Sequence, residues 1–71
     1  MYYHIYYKHP QSRTYKALDL SEGRAAGNLL FATIIDNKEQ AEDIARRLAA
    51  INPDCKFEAR AIHHHNNQRS N

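Results

Sequence analysis

The sequence predicts an α+β fold: a two-layer α/β sandwich, β-β-β-α-β, in which a single helix covers one face of a four-stranded mixed sheet. Three stretches predict it. Leu29–Ile35 is a nearly unbroken apolar run, too short for a typical helix, and reads as a strand buried on most of both faces. Ala41, Ile44, Ala45, Leu48 and Ile51 recur at helical spacing, with Glu39, Glu42, Asp43, Arg46 and Arg47 on the other side. Cys55, Phe57, Ala59 and Ala61 alternate with Lys56, Glu58 and Arg60, the two-residue period of a strand with one wet face. A helix of about fourteen residues covers roughly 21 Å, close to the length of a seven-residue strand. The flanking strands can therefore run parallel, with the helix as a right-handed crossover.

Taken in order, Tyr2 to His9 is dense in aromatic and β-favouring residues and closes at Pro10, which cannot continue a central ladder. This is the first strand. Ile5 points to the core and takes Tyr3 and Tyr7 with it, which leaves Tyr2, His4, Tyr6 and Lys8 on the opposite face. Pro10–Arg13 supplies turn residues, and Thr14–Leu18 returns antiparallel as a second strand. Its buried face is open: Leu18 and Leu20 point one way, Tyr15 and Ala17 the other. Ser21-Glu22-Gly23 is a turn, and Arg24–Asn28 is an irregular loop or one helical turn closed by Gly27. After the apolar run, either Asp36 or Asn37 can cap the helix, each with Glu39 or Gln40 three residues on. Acids sit early in the helix and arginines late, and Glu42 with Arg46 and Asp43 with Arg47 can pair, each for about 0.2–0.5 kcal/mol. Asn52 can take the left-handed conformation past the last turn, and Pro53 forbids continuation. Residues 1–62 make one small domain, and 63–71, polar and without periodicity, form a flexible C-terminal tail.

Composition bounds the class. Such a chain buries only about 60% of its unfolded surface, so 71 residues build two layers and no more. With 42% hydrophobic and 25% charged residues it is ordinary for a folded domain. The single cysteine excludes an internal disulfide, and the opening residues lack the aliphatic run of a signal peptide or membrane span. A reducing, cytoplasmic setting without membrane association is expected. A net charge of +2 falls short of what by itself implies nucleic acid. The charge is uneven, however: Lys8, Arg13 and Lys16 all precede the first acid, Asp19, while Asp36 to Arg47 sums to −1.

No cofactor, metal site or catalytic constellation is expected. His63, His64 and His65 are good ligand types, but adjacent positions on a tail do not converge from separate elements as a closed site requires. Cys55 shares the phase of Phe57 and reads as a buried structural thiol, with no fixed His and Asp partner to activate it. Glu39, Glu42 and Asp43 are accounted for by their place in the first turns of a helix. Gly23 and Gly27 precede a strand with no Gly-Lys-Ser/Thr, so phosphate binding there is not expected.

The informative feature is the uncovered sheet face. Tyr2, His4, Tyr6 and Lys8 of the first strand share it with Lys56, Glu58 and Arg60 of the last. Tyr and Arg are enriched in protein interfaces, which points to a non-enzymatic module docking this face, or a sheet edge, on a protein partner or a second copy of itself. Aromatics flanked by cations also form the platform of single-stranded RNA- or DNA-binding modules, and Glu58 in the middle of the patch disfavours a polyanion. A plain solvent-facing sheet with tyrosines lying on lysine stems accounts for the same residues without function. In size and layout the chain is similar to small proteins of phages and mobile elements, some of which inhibit host enzymes or defence complexes. That resemblance implies an inhibitor of a host protein complex; it touches no specific residue.

Overall fold

A computed structural model of the chain describes residues 1–62; the expected tail, with His63, His64 and His65, lies outside the described residues. The elements are β1 (Tyr3–Lys8), β2 (Lys16–Asp19), β3 (Arg24–Ala25), a single 3₁₀ turn (Leu29–Phe31), α1 (Lys38–Ile51) and β4 (Lys56–Ala61). They form an α+β fold, α1 packing on one face of a four-stranded sheet of order β3-β2-β1-β4.

Local chemistry sets each turn. After β1, Pro10 occupies the bend in which the Ser12 amide donates to the His9 carbonyl at 2.9 Å. The Ser12 hydroxyl then accepts from the Thr14 amide and donates to its carbonyl. Between β2 and β3 the Asp19 carboxylate accepts from the Ser21 hydroxyl at 2.7 Å and from the Ser21 and Glu22 amides. Gly23, at φ +70°, closes that turn, in a conformation a side chain would strain. These donors, the Ser21 hydroxyl first, hold the Asp19 carboxyl below its ordinary value.

The helix begins where sequence allowed two choices. Asn37 is the cap, its Oδ1 accepting from the Gln40 amide at 2.9 Å. Its far end differs from expectation: Asn52 has φ −124° and ψ 72°, not left-handed, because the residue before a proline is pushed out of the helical region. Its backbone amide donates to the Leu48 carbonyl at 2.9 Å, and its side-chain amide donates to the same oxygen at 3.2 Å. Arg46 also departs from expectation, bonding Asp43 at 3.2 Å and not Glu42, while the Asp43–Arg47 pair forms at 2.8 Å.

The core sits between α1 and the sheet. Ile5 is 0% exposed and is surrounded by Leu18, Ile35, Ala41 and Ala45, with Tyr3, Tyr7, Leu20, Ile44, Leu48, Phe57 and Ala59 packed around them. Alanines at 41 and 45 leave no bulk between helix and sheet. Tyr7 and Phe57 stack at 6.2 Å between ring centroids. Leu18 in this core decides the second strand's open question: Leu18 and Leu20 face the helix, while Ala17 lies opposite Tyr6 on the far side.

Two expectations are overturned here. Leu29–Ile35 is not a strand. Leu29–Phe31 makes the 3₁₀ turn, with Asn28 Oδ1 accepting from the Leu30 amide at 2.9 Å, and only Ile35 reaches the sheet, exchanging both backbone bonds with Tyr3 (2.8 and 2.9 Å). Thr33 is fixed beside it: its amide donates to the Leu18 carbonyl at 3.1 Å and its hydroxyl accepts from the Leu20 amide at 2.8 Å. Residues 33–35 thus wedge between the start of β1 and the end of β2. The outer edge of β2 is taken by the short β3, formed where a loop was expected, and the second edge of β1 by β4, so neither flank of the β1–β2 hairpin is left for a long third strand.

The second correction concerns direction. The sheet is antiparallel throughout, not mixed. Ile35 lies beside Tyr3 at the start of β1, and Lys56 lies opposite Lys8 at its end. Fourteen helical residues span roughly 21 Å, about the length of β1, so α1 carries the chain from one end of β1 to the other. β4 must then run back along it.

Candidate docking face

On the side of the sheet away from α1, β1 and β4 are in full register: His4 opposite Arg60, Tyr6 opposite Glu58, Lys8 opposite Lys56. Directly opposed residues of an antiparallel pair share a face, so the phase inferred from Ile5 places these side chains together. Their fates differ. Arg60 sits over two rings, its Cζ 4.6 Å from the centroids of both Tyr6 and Tyr15, and its Nε–H donates to the Glu58 carboxylate. Cation–π contacts of this kind contribute about 0.5–1 kcal/mol at exposed sites; they also fix a planar cation and two aromatic rings in one place. Lys8 and Lys56 stand side by side at the far end of the ladder and leave a local concentration of positive charge there.

His4 does not belong to an uncovered surface. It is 8% exposed, its edge against Tyr6 at 6.3 Å, and Nδ1–H donates to the Thr33 carbonyl at 3.0 Å. A carbonyl partner makes Nδ1 the protonated nitrogen of the neutral ring. Its partner belongs to the Thr33–Ile35 wedge, which lies alongside the start of β1. His4 therefore anchors that segment.

The same segment supplies what sequence reasoning missed. Leu30 is 86% exposed and Ile34 61%, with Leu29 and Phe31 also largely open. Tyr2, His4, Leu29, Leu30, Ile34 and Ile62 line one shallow depression of about 330 Å³ at the end of the open face. Of the predicted residues, Tyr2 joins this apolar end, Tyr6 and Arg60 the middle, and Lys8 and Lys56 the basic end. Two signals in the sequence pointed to it. Asn28 before Leu29 is a cap residue rather than a strand residue, and a sheet covered by one helix has no second layer to bury both faces of a strand.

Elsewhere the chemistry is sparse. Cys55 is half-buried, just before β4 and not fully inside, in a groove of about 310 Å³ with Tyr7, Leu18, Leu20, Leu48 and Phe57; no acid or histidine lines it. Among the described residues no group of three His, Cys, Asp or Glu is placed to hold a metal ion, and no helix is long and apolar enough to cross a membrane. No family model, curated protein or solved structure matches this chain.

Proposed function

We propose that the chain works by binding rather than by catalysis, as a small module that docks a protein partner on the helix-free face of its sheet. The observation that carries this reading is the exposure of Leu29, Leu30 and Ile34 around one depression, bordered through Tyr2 and His4 by the Tyr6–Arg60 cluster. Contiguous apolar surface next to aromatic and arginine side chains is the anatomy of a binding patch. A non-catalytic role is supported by the surroundings of the reactive groups: Cys55 has no base along its groove, and Asp43 is engaged by two arginines. Occupying a surface of a host protein complex is the form of action that the size and layout suggest.

The single-stranded nucleic-acid reading is weaker on this geometry. A base would have to stack on Tyr6, but Arg60 already lies over that ring and is itself paired with Glu58. The decisive experiment is affinity capture from the native host with wild type and with Leu30→Ser/Ile34→Ser, each with and without nuclease. A retained protein that survives nuclease and is lost with the double variant, while thermal melting is unchanged, supports docking. Retention by the double variant, or loss on nuclease treatment, defeats it.

A further inference from the structure

β4 ends the sheet. Among the described residues it has β1 on one side only; it runs six residues without proline, and carries Lys56, Glu58 and Arg60 in alternation on the open face and Phe57, Ala59 and Ala61 on the helix face. A free edge of this length is a template for another strand. The opposite edge, β3, has only two residues and offers no comparable ladder.

We propose that two copies of this chain pair antiparallel through the free edges of β4, in the register that sets Ala59 opposite Ala59 of the second copy. The argument is one of charge. A two-fold axis through the joined sheet keeps both helices on the same side only if each residue meets one of the same phase, so the axis must pass through a residue position. An axis at Glu58 opposes the two Glu58 side chains and sets Lys56 against Arg60; an axis at Arg60 opposes the two arginines. Both are repulsive. An axis at Phe57 pairs Lys56 with Glu58 but overlaps only three strand residues. An axis at Ala59 overlaps five, sets the Glu58–Arg60 ion pair of each copy beside that of the other so that Glu58 faces Arg60 twice on the open face, and sets Phe57 against Ala61 twice on the other.

Alternating charge on this edge therefore excludes neighbouring registers and admits one. Beside the edge, Ala45, Ala49, Phe57 and Ala59 line a groove of about 340 Å³ between α1 and β4, together with the charged Glu42, Arg46 and Glu58. Small side chains there leave room for the flank of the second copy's helix. The joined sheet has eight strands, both helices on one side and both apolar depressions on the other.

Sedimentation velocity tests this on wild type, Glu58→Arg and Arg60→Glu, each alone, and on an equimolar mixture of the two variants. Both side chains are 43% exposed, so the fold should tolerate the changes, and circular dichroism checks it. Wild type should dimerise. Either variant alone should dimerise about tenfold more weakly or worse, since it sets like charges opposite each other twice. The mixture should recover the dimer, because each variant then faces the opposite charge. The chain with both changes should pair with itself, and Glu58→Gln with Arg60→Gln should fall between. A wild type monomeric at roughly 1 mM, or variants whose mixture dimerises no better than each alone, overturns the pairing. The edge does not include the apolar depression, so Leu30→Ser/Ile34→Ser should still dimerise, and this proposal and the docking reading fail separately.

Discussion

Ile34 and Ile35 are the same side chain at adjacent positions, and the fold treats them in opposite ways. Ile35 is 6% exposed, packed with Ile5, Leu18, Ala41 and Ala45, and bonded through its backbone to Tyr3 on both sides. Ile34 is 61% exposed and borders an open depression. Local preference cannot separate them. What separates them is the wedge at residues 33–35: a chain joining the sheet at a single residue turns that side chain inward and its neighbour outward. Continuous hydrophobicity thus reports two things in this molecule, a core residue and a surface one, and the surface one has no structural reason to be apolar.

The comparison can be broken by substitution. Ile35→Ala should lower stability by about 2–5 kcal/mol, as for other buried large-to-small changes, whereas Ile34→Ala should stay within about ±0.5 kcal/mol; urea unfolding of the two variants measures both. Equal losses would mean that both are core residues and that the exposed patch does not exist. Thr33→Val sharpens the same contrast from the polar side. It removes the oxygen that accepts the Leu20 amide but keeps the side chain's shape. Leaving that half-buried donor unpaired should cost about 1–3 kcal/mol, with accelerated hydrogen exchange at Leu20 as the direct readout.

The smallest effect lies in the β2–β3 turn. The Asp19 carboxyl is held below its ordinary value by the Ser21 hydroxyl and neighbouring amides. A carboxylate lowered in this way stabilises the fold above its unfolded value, about pH 3.9, and that contribution is lost as pH falls through the lower, folded value. Asp19→Asn keeps an acceptor oxygen but does not titrate. The gap in unfolding midpoint between wild type and this variant should therefore shrink as pH drops from about 5 to about 2. A constant gap would remove Asp19 ionisation from the account.

Periodicity made much of this legible. The helix was readable from Ala41 to Ile51 because its apolar stripe and its cap agree, and the outward set of Tyr6, Glu58 and Arg60 followed from the parity of Ile5 and Phe57 alone. What could not be read depends on competition between distant segments. Leu29–Ile35 has the hydrophobicity and length of a buried strand, but the places on either flank of the β1–β2 hairpin go to β3 and β4. β3 itself, at two residues, carries no period to detect. His4 was correctly assigned to its face, yet its bond to Thr33 is a contact between positions 4 and 33 that no local pattern encodes.

The central place of β1 sets the order in which the molecule can be completed. Its partner β2 follows closely, but its other neighbour is the last strand of the domain, with Ile5 opposite Ala59. As the polypeptide leaves the ribosome, the first strand made waits with one flank bare until almost the whole domain has been synthesised. Closure is then a late, long-range event of the kind that slows folding. Tyr3 to Lys8, the most aromatic segment, is what a nascent chain leaves open to chaperones or to its neighbours in the meantime.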